Sequence, residues 1–233
     1  MRTHLHREIE NLKKKILSLG AVVEELVRTA VRAVAERDGE LAAKGIGADV
    51  EIDQREVDLE EECLKILALH QPVAIDLRFV IAVLKINNDL ERIGDLAVNI
   101  AERAAFIATQ PEMDIPFDFP NMVDKVQVML RDSLDALVNM DPHLAHAVIL
   151  ADDEVDAIHR RMFFQIREGF RTKSDQIEQL THYMLVSRHL ERIADHATNI
   201  AEDVIYMIEG QIVRHKTEDY QNRSNDPPRG FME

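Results

Sequence analysis

The sequence predicts an all-α protein made of two tandem three-helix bundles, with six long helices related by an internal repeat. Residues 90–102 recur at 190–202 with ten of thirteen positions identical, so about half the chain is the architectural unit. Apolar residues follow one another at alternating steps of four and three, which is typical of helices that pack along one seam. The chain has only 8 glycines and 7 prolines in 233 residues, too few for a fold of many turns.

The first half, residues 1–110, contains three predicted helices. The first carries a heptad-like seam and ends at 37–39, where a glycine follows the last turn. The second carries on its apolar side Ile52, Leu59, Cys63 and Ile66. Gly45 and Gly47 weaken the start of this helix, and it ends at 70–72 because proline cannot continue a helix. The third is predicted from about 72 to 109.

Residues 110–120 hold three prolines, so we predict a linker over 111–120. The second half, 121–215, repeats the plan of the first. Its first predicted helix covers 121–139. The second begins after an N-cap at Asp141 and runs to about 171, and the third begins at Ser174-Asp175. The polar composition of 216–233, with Pro227-Pro228, predicts a disordered tail.

Composition narrows the classes of function. A net charge of −15 argues against binding to nucleic acid, which is itself a polyanion. The single cysteine, Cys63, cannot form an internal disulfide, which fits a reducing compartment. The N-terminus lacks the apolar stretch of a signal peptide, and no apolar run approaches the ~20 residues of a membrane span. We therefore expect a cytoplasmic protein without membrane insertion.

The repeated segment carries a stripe of acidic side chains. A helix advances about 100° per residue, so Asp95 lies about 40° and Glu102 about 20° from Glu91 on the helical wheel. The apolar seam lies at about 160° to 260°, so the stripe points away from it. Helix six repeats the arrangement with Glu191, Asp195 and Glu202. We expect few basic residues at i±4 to neutralise these carboxylates.

Acidic pairs with the same four-residue spacing occur on the preceding helix of each half. If neighbouring helices are antiparallel, each such pair meets a Glu-x-x-x-Asp pair and forms a four-carboxylate site. The candidate metal ligands are Asp49, Asp53, Glu91 and Asp95 in the first half and Asp152, Asp156, Glu191 and Asp195 in the second. Clustered carboxylates suit hard cations, and the sequence does not choose among magnesium, calcium, manganese and iron. The alternative is a solvated acidic face with no ligand.

The sequence resembles the PhoU family of phosphate-signalling regulators over about residues 4–213. The resemblance is carried by Gln71-Pro-Val-Ala-Ile-Asp-Leu-Arg78, by 84–95 and by the echo at 190–202. The second half departs from the family's pattern at His189, which stands where the first repeat has Asp89. The Gln-Pro-Val-Ala segment also has no second copy.

The resemblance implies two three-helix bundles, no catalysis, and metal ions on Glu/Asp-x-x-x-Asp motifs at the eight positions above. It implies divalent or trivalent ions, with iron and zinc clusters among the candidates. It further implies negative regulation of the phosphate-starvation response through contacts with the phosphate ABC transporter ATPase and a sensor histidine kinase. On this view the chain reaches the membrane surface only through these partners, and we expect a homodimer.

Two other hypotheses stay open. A di-iron helical-bundle protein would use Glu-x-x-His motifs that project into a bundle core, and no Glu-x-x-His follows either acidic stripe. A purely structural module would use the stripes only for solubility. His182, His189 and His196, spaced seven apart on helix six, are expected to have a structural or surface role.

Overall fold

The computed structural model of the chain describes residues 2–113 and 118–210, with side chains from His4 onward. All regular structure within these ranges is helical. The long helices are α1 (Arg2–Glu36), α3 (Asp49–His70), α4 (Ala74–Thr109), α5 (Phe119–Asn139), α6 (Pro142–Thr172) and α7 (Ile177–Glu209). A short helix, α2 (Gly39–Ile46), follows α1, and one 3₁₀ turn (Ser174–Gln176) precedes α7.

The six long helices confirm the predicted fold class. The proline break after His70 is found where the sequence placed it, with Gln71 in the left-handed region at φ 44°. Asp141 caps α6 as expected, because its Oδ1 accepts hydrogen bonds from the backbone N–H groups of His143 at 2.9 Å and Leu144 at 3.2 Å. Cys63 is fully buried, as predicted for a core residue.

The end of the first helix is not as predicted. Gly39 does not follow the last turn of α1 but opens α2, and Arg37 takes the left-handed backbone instead, with φ 54°. Asp38 caps α2 by accepting hydrogen bonds from the N–H groups of Glu40 and Leu41 at 2.9 and 3.0 Å. Gly45 is buried inside α2, where a methyl group would lie 3.0 Å from Ala101 Cβ. The glycines thus permit close packing of α2 on α4.

The two halves share one continuous core of aliphatic side chains. At its centre α4 packs antiparallel on α7. Lys85 Nζ donates to Asp203 Oδ1 at 2.6 Å near one end of the contact. The rings of Phe106 and His182 stack at 3.8 Å near the other. The antiparallel contact therefore joins two helices that carry the repeated segment.

The connection between the halves is tied to both of them. Arg37 Nη2 donates to the carbonyl of Gln110, the residue after α4, and Gln179 Nε2 donates to the carbonyl of Pro111 at 2.8 Å. Residues 114–117 of the predicted linker and the predicted tail at 216–233 lie outside the described residues, and the division of the chain into domains stays a prediction. Across 2–113 and 118–210, none of the helices combines the length and apolar character needed to cross a membrane.

Candidate cation-binding clusters

A close approach of two helices positions the first acidic cluster. Gly94 lies between Glu91 and Asp95 on α4, and a methyl group placed on it would lie 3.1 Å from Ile52 Cδ1 on α3. Ile52 is itself flanked on α3 by the first acidic pair. Since Gly94 has no side chain, the two helices meet at this point, and their acidic pairs come together at the edge of the contact.

The carboxylates of the first cluster act on one another electrostatically. Burial raises the pKa of Asp49, and the charges of Asp53 on its own helix and of Asp95 on α4 raise it further. Burial also raises the pKa of Glu91, where Asp95 adds to the effect and Arg92 opposes it. The four predicted carboxylates of this half therefore share one electrostatic environment.

The second cluster is more strongly coupled than the first. The pKa of Asp152 rises to about 7, first because of burial and then because of the charges of Asp195 and Asp156. Burial likewise raises the pKa of Glu191 and of Asp195, and in both cases Asp156 on the neighbouring helix contributes. The structure thus brings α6 and α7 together at the predicted carboxylates, with Val155 and Ala194 where the first half has Ile52 and Gly94.

As expected, no basic residue lies at i±4 from a stripe carboxylate, but arginines at other spacings pair with the three stripe carboxylates of the first half, and another pairs with Asp156. Arg92 lies 3.3 Å from both Glu91 Oε2 and Asp95 Oδ2, and Arg160 lies 3.2 Å from Asp156 Oδ2. Both arginines are largely exposed, so these pairs are weak and can be broken at low free-energy cost. Glu102 of the stripe pairs with Arg103 at 2.9 Å.

The donor chemistry fits a hard cation, although the side chains are not gathered around one point. Among the described residues, no three His, Cys, Asp or Glu side chains are placed to hold one ion together. Glu91 Oε2 is buried and makes no hydrogen bond, and its partner is the guanidinium of Arg92, an ion pair at 3.3 Å. Carboxylate oxygen atoms suit Mg²⁺, Ca²⁺ or Mn²⁺. Gathering the set requires rotation of carboxylates away from Arg92 and Arg160.

The arrangement of two matching halves agrees with comparison to known proteins. The PhoU domain model matches the chain twice, over residues 16–104 and 119–204. The chain belongs to the PhoU family. Both matched regions include one complete four-carboxylate cluster.

Individual PhoU relatives confirm the membership over nearly the whole chain. The PhoU homolog of Aquifex aeolicus, named a phosphate-specific transport system accessory protein, is 38% identical over 212 residues, 91% of this chain and 96% of that protein. The crystal structure of PhoU from Pseudomonas aeruginosa has a TM-score of 0.85 and 35% identity, covering 88% of this chain and 99% of that one. PhoU from Streptococcus pneumoniae has a TM-score of 0.80 and 30% identity, covering 90% and 99%.

Sequence reasoning missed one further residue beside each PhoU cluster. Glu56 on α3 contributes to the raised pKa of Glu91, and His159 on α6 interacts with the charge of Asp195. These two residues occupy equivalent positions, 103 apart, at the same offset that relates Asp49 to Asp152. Extending that alignment by seven residues would have found them.

The histidines of α7 lie against α4, as a structural role requires. His196 Nδ1 is 2.8 Å from Asp89 Oδ1, and the same oxygen accepts from Asn199 Nδ2 at 3.3 Å. His182 stacks on Phe106, and burial lowers the pKa of both His182 and His189. The sequence assigned no role to Asp89, and in the structure its hydrogen bonds to His196 and Asn199 join the two halves.

Proposed function

We propose that this PhoU-family chain is a non-enzymatic accessory protein of a phosphate-specific transport system. It acts as a negative regulator of the phosphate-starvation response. The observation that carries the proposal is the match of the PhoU domain to both halves of the chain. Relatives that cover almost all of it bear the name of a transport system accessory protein.

We propose that regulation works by physical coupling. The chain contacts the ATPase of the phosphate ABC transporter and a sensor histidine kinase, and so transmits the state of the transporter to the kinase. A rigid helical body with a single shared core suits this adaptor role, because it can present fixed surfaces to two partners at once.

Deletion of the gene tests the regulatory role. We expect loss of the protein to release alkaline phosphatase expression in high phosphate and the intact gene to restore repression. Affinity capture of the tagged chain should recover the transporter ATPase and the kinase. Unchanged repression in the deletion strain, measured with a phosphatase reporter, would contradict the proposal.

We further propose that each four-carboxylate cluster binds a divalent or trivalent cation. The proposal is supported by the carboxylates of each cluster, whose charges raise one another's pKa. In equilibrium dialysis against manganese, zinc, iron and magnesium, Asp95→Ala should remove binding in the first half only and Asp195→Ala in the second only. Asp58→Ala, at an exposed carboxylate of α3, is the matched control. Equal binding by wild type and the double Asp95→Ala, Asp195→Ala variant would show that the sites are assigned wrongly.

A di-iron protein is the second candidate. It is favoured by one observation, since Asp156 and His159 form a carboxylate-x-x-His pair on α6 that is similar to the Glu-x-x-His motif of that class. The first half has Glu56 in place of that histidine, and the eight carboxylates lie beside the aliphatic core rather than within it. Oxygen consumption by the iron-loaded protein would favour this candidate over the regulator.

A further inference from the structure

The second half carries a basic and aromatic surface that the proposed function does not use. Between residues 157 and 173, five arginine or lysine residues stand against one acidic residue, in a chain whose net charge is −15. Three of these arginines and one phenylalanine recur along α6 at i, i+4, i+7 and i+11, so they lie within about 60° of one another on the helical wheel. This row and the phenylalanine beside it form the α6 crest, which consists of Arg160, Phe163, Phe164, Arg167 and Arg171.

The α6 crest points away from the body of the protein. Met162 and Ile166, on the opposite side of α6, are buried in the core, whereas Phe163 and Phe164 are 44% and 57% exposed. The two rings meet edge to face with their centroids 6.1 Å apart, and the guanidinium of Arg167 lies 5.1 Å from the centroid of the Phe164 ring. Large apolar side chains that are grouped in solvent in this way mark an interaction surface.

The other two arginines of the crest can exchange their present partners. Arg160 lies 3.2 Å from Asp156, and Arg171 lies 3.6 Å from Glu168, both on the same helix. All four side chains are exposed to solvent, with relative areas of 39% or more. Exposed pairs of this kind contribute little to stability, so an external anion can replace either carboxylate at low cost.

The equivalent face of the first half has a different character. At the offset of 103 that relates α3 to α6, the crest positions hold Val57, Glu60, Glu61, Leu64 and Ala68. These residues are also exposed, so both halves present this face to solvent and only the second makes it basic and aromatic. Because both halves share one helical plan, the fold itself does not require the arginines or the phenylalanines.

We propose that the α6 crest binds directly to the surface of an anionic phospholipid membrane. Its arginines pair with phosphate groups of the lipids, and its phenylalanine rings enter the boundary between head groups and acyl chains. A lipid surface is favoured over a peptide because peptides bind in grooves or along sheet edges, whereas the crest is the convex outer side of one helix. Salt at 0.1 M screens charges beyond about 10 Å, so the crest acts apart from the net charge of the chain.

Vesicle co-sedimentation of the full-length chain in EDTA and 0.1 M KCl tests the proposal. Vesicles of phosphatidylcholine are compared with vesicles that contain equal parts of phosphatidylcholine and phosphatidylglycerol. We expect binding to the anionic vesicles to be at least ~10-fold stronger than to the neutral ones. Raising KCl to 0.5 M should weaken it, because the attraction between charges is then screened at shorter range.

Paired variants separate the two parts of the crest. Arg167→Gln/Arg171→Gln should weaken binding ~25-fold, at ~5-fold for each arginine, and Phe163→Ser/Phe164→Ser should weaken it at least ~10-fold. Leu64→Ser, at the first-half position that corresponds to Arg167, is the control for an exposed apolar side chain. Arg32→Gln, an exposed arginine of α1 that pairs with Glu36, is the control for charge. Circular dichroism checks that each variant is folded.

The outcomes decide between a membrane and a protein partner. Loss of vesicle binding in both crest variants, with binding retained in both controls, would support the proposal. Equal binding to neutral and anionic vesicles, or binding that the crest variants leave intact, would overturn it. Absence of vesicle binding would also overturn it, and a protein captured by wild type but not by the crest variants would then assign the crest to that protein. Because no transporter or kinase is present in the vesicle assay, its result does not depend on the proposed regulatory role.

Discussion

Replacing Asp152 with asparagine is expected to stabilise the metal-free protein at neutral pH. The carboxyl of Asp152 is partly buried beside Asp195, Asp156, Asp153 and Glu191, and its pKa rises to about 7. At pH 8 the folded protein must keep this group ionised among other anions. An asparagine side chain has nearly the same shape and carries no charge, so it removes that electrostatic cost.

The pKa values give the size of the effect and its pH range. The pKa of this carboxyl rises from its ordinary value of 3.8 to about 7 in the fold, so the folded form binds more protons than the unfolded form between these pH values. The stability contributed by the neutral carboxyl is therefore fully present below pH 3.8 and is lost as the pH rises to about 7. The whole difference corresponds to ~4 kcal/mol, and solvent screening of this partly exposed group reduces it to ~2 kcal/mol.

Urea and thermal unfolding in the presence of EDTA measure this gain. At pH 8, Asp152→Asn should raise the free energy of unfolding by ~2 kcal/mol, which for a chain of this size is ~4–8 °C in melting temperature. At pH 5 the gain should be less than half as large, since the wild-type carboxyl is then protonated in the fold. Asp153→Asn, an exposed neighbour with the same change of charge, should shift stability by less than ~0.5 kcal/mol.

Added metal should reverse the order of the two proteins. A cation that binds the folded state stabilises it by ~2.7 kcal/mol at a concentration 100 times its Kd, and Asp152→Asn removes one of its ligands. Wild type should then be the more stable protein in manganese or zinc and the less stable one in EDTA. A destabilised Asp152→Asn protein in EDTA at pH 8, or an equal gain at pH 5 and pH 8, would refute the electrostatic reasoning.

Three further predictions concern packing and capping, each measured by urea unfolding. Gly94→Ala should cost ~1 kcal/mol by crowding Ile52. Adding Ile52→Val should recover most of that loss, because the second half packs a valine, Val155, against an alanine, Ala194, at the same positions. A double-mutant cycle that shows no coupling between the two substitutions would contradict this prediction. Lys85→Met should lower the free energy of unfolding by ~2 kcal/mol, because it removes the ammonium group that pairs with the buried carboxylate of Asp203. The double variant Lys85→Met/Asp203→Leu should recover most of that loss. Equal stability of the single and double variants would contradict this prediction. Asp141→Ala should cost ~1 kcal/mol through loss of the α6 cap, and an unchanged midpoint would show that the cap contributes nothing.

The long helices could be predicted because their seams are regular and their ends carry specific chemistry. Asp141 followed by proline and the break at Gln71 are local signals, and both are found in the structure. The short helix α2 was missed because Gly39, Gly45 and Gly47 read as helix breakers. The low helix propensity of glycine is outweighed there by tertiary packing, since Gly45 is buried against Ala101.

The candidate site could be predicted in part from spacing alone. Carboxylates four apart on adjacent helices share a face, and antiparallel packing brings them together at Gly94. The wheel of one helix cannot show which side chains a neighbouring helix adds, so Glu56 and His159 were missed. It also cannot show that Arg92, one residue after Glu91 and three residues before Asp95, pairs with both. The bond from Asp89 to His196 depends on how the two halves pack, which a repeat does not specify.

Two differences between the halves stand out, one where the halves meet and one where cations are proposed to bind. At both places an acid of the first half is a histidine in the second: Glu56 becomes His159, and Asp89 becomes His189. If the interface were symmetric, His189 would bond Asn99 as Asp89 bonds Asn199. Instead Asn99 donates to a carbonyl of its own helix at 2.8 Å, and His189 Nδ1 has no hydrogen-bond partner.

One contact in the core, by contrast, keeps its combined size, since Ile52 and Gly94 of the first half are replaced by Val155 and Ala194 in the second. Packing alone therefore does not account for the two histidines. Natural proteins depart from local rules mainly where function requires it. The duplicated body thus keeps its helical plan while its second half carries imidazole in place of carboxylate at both places.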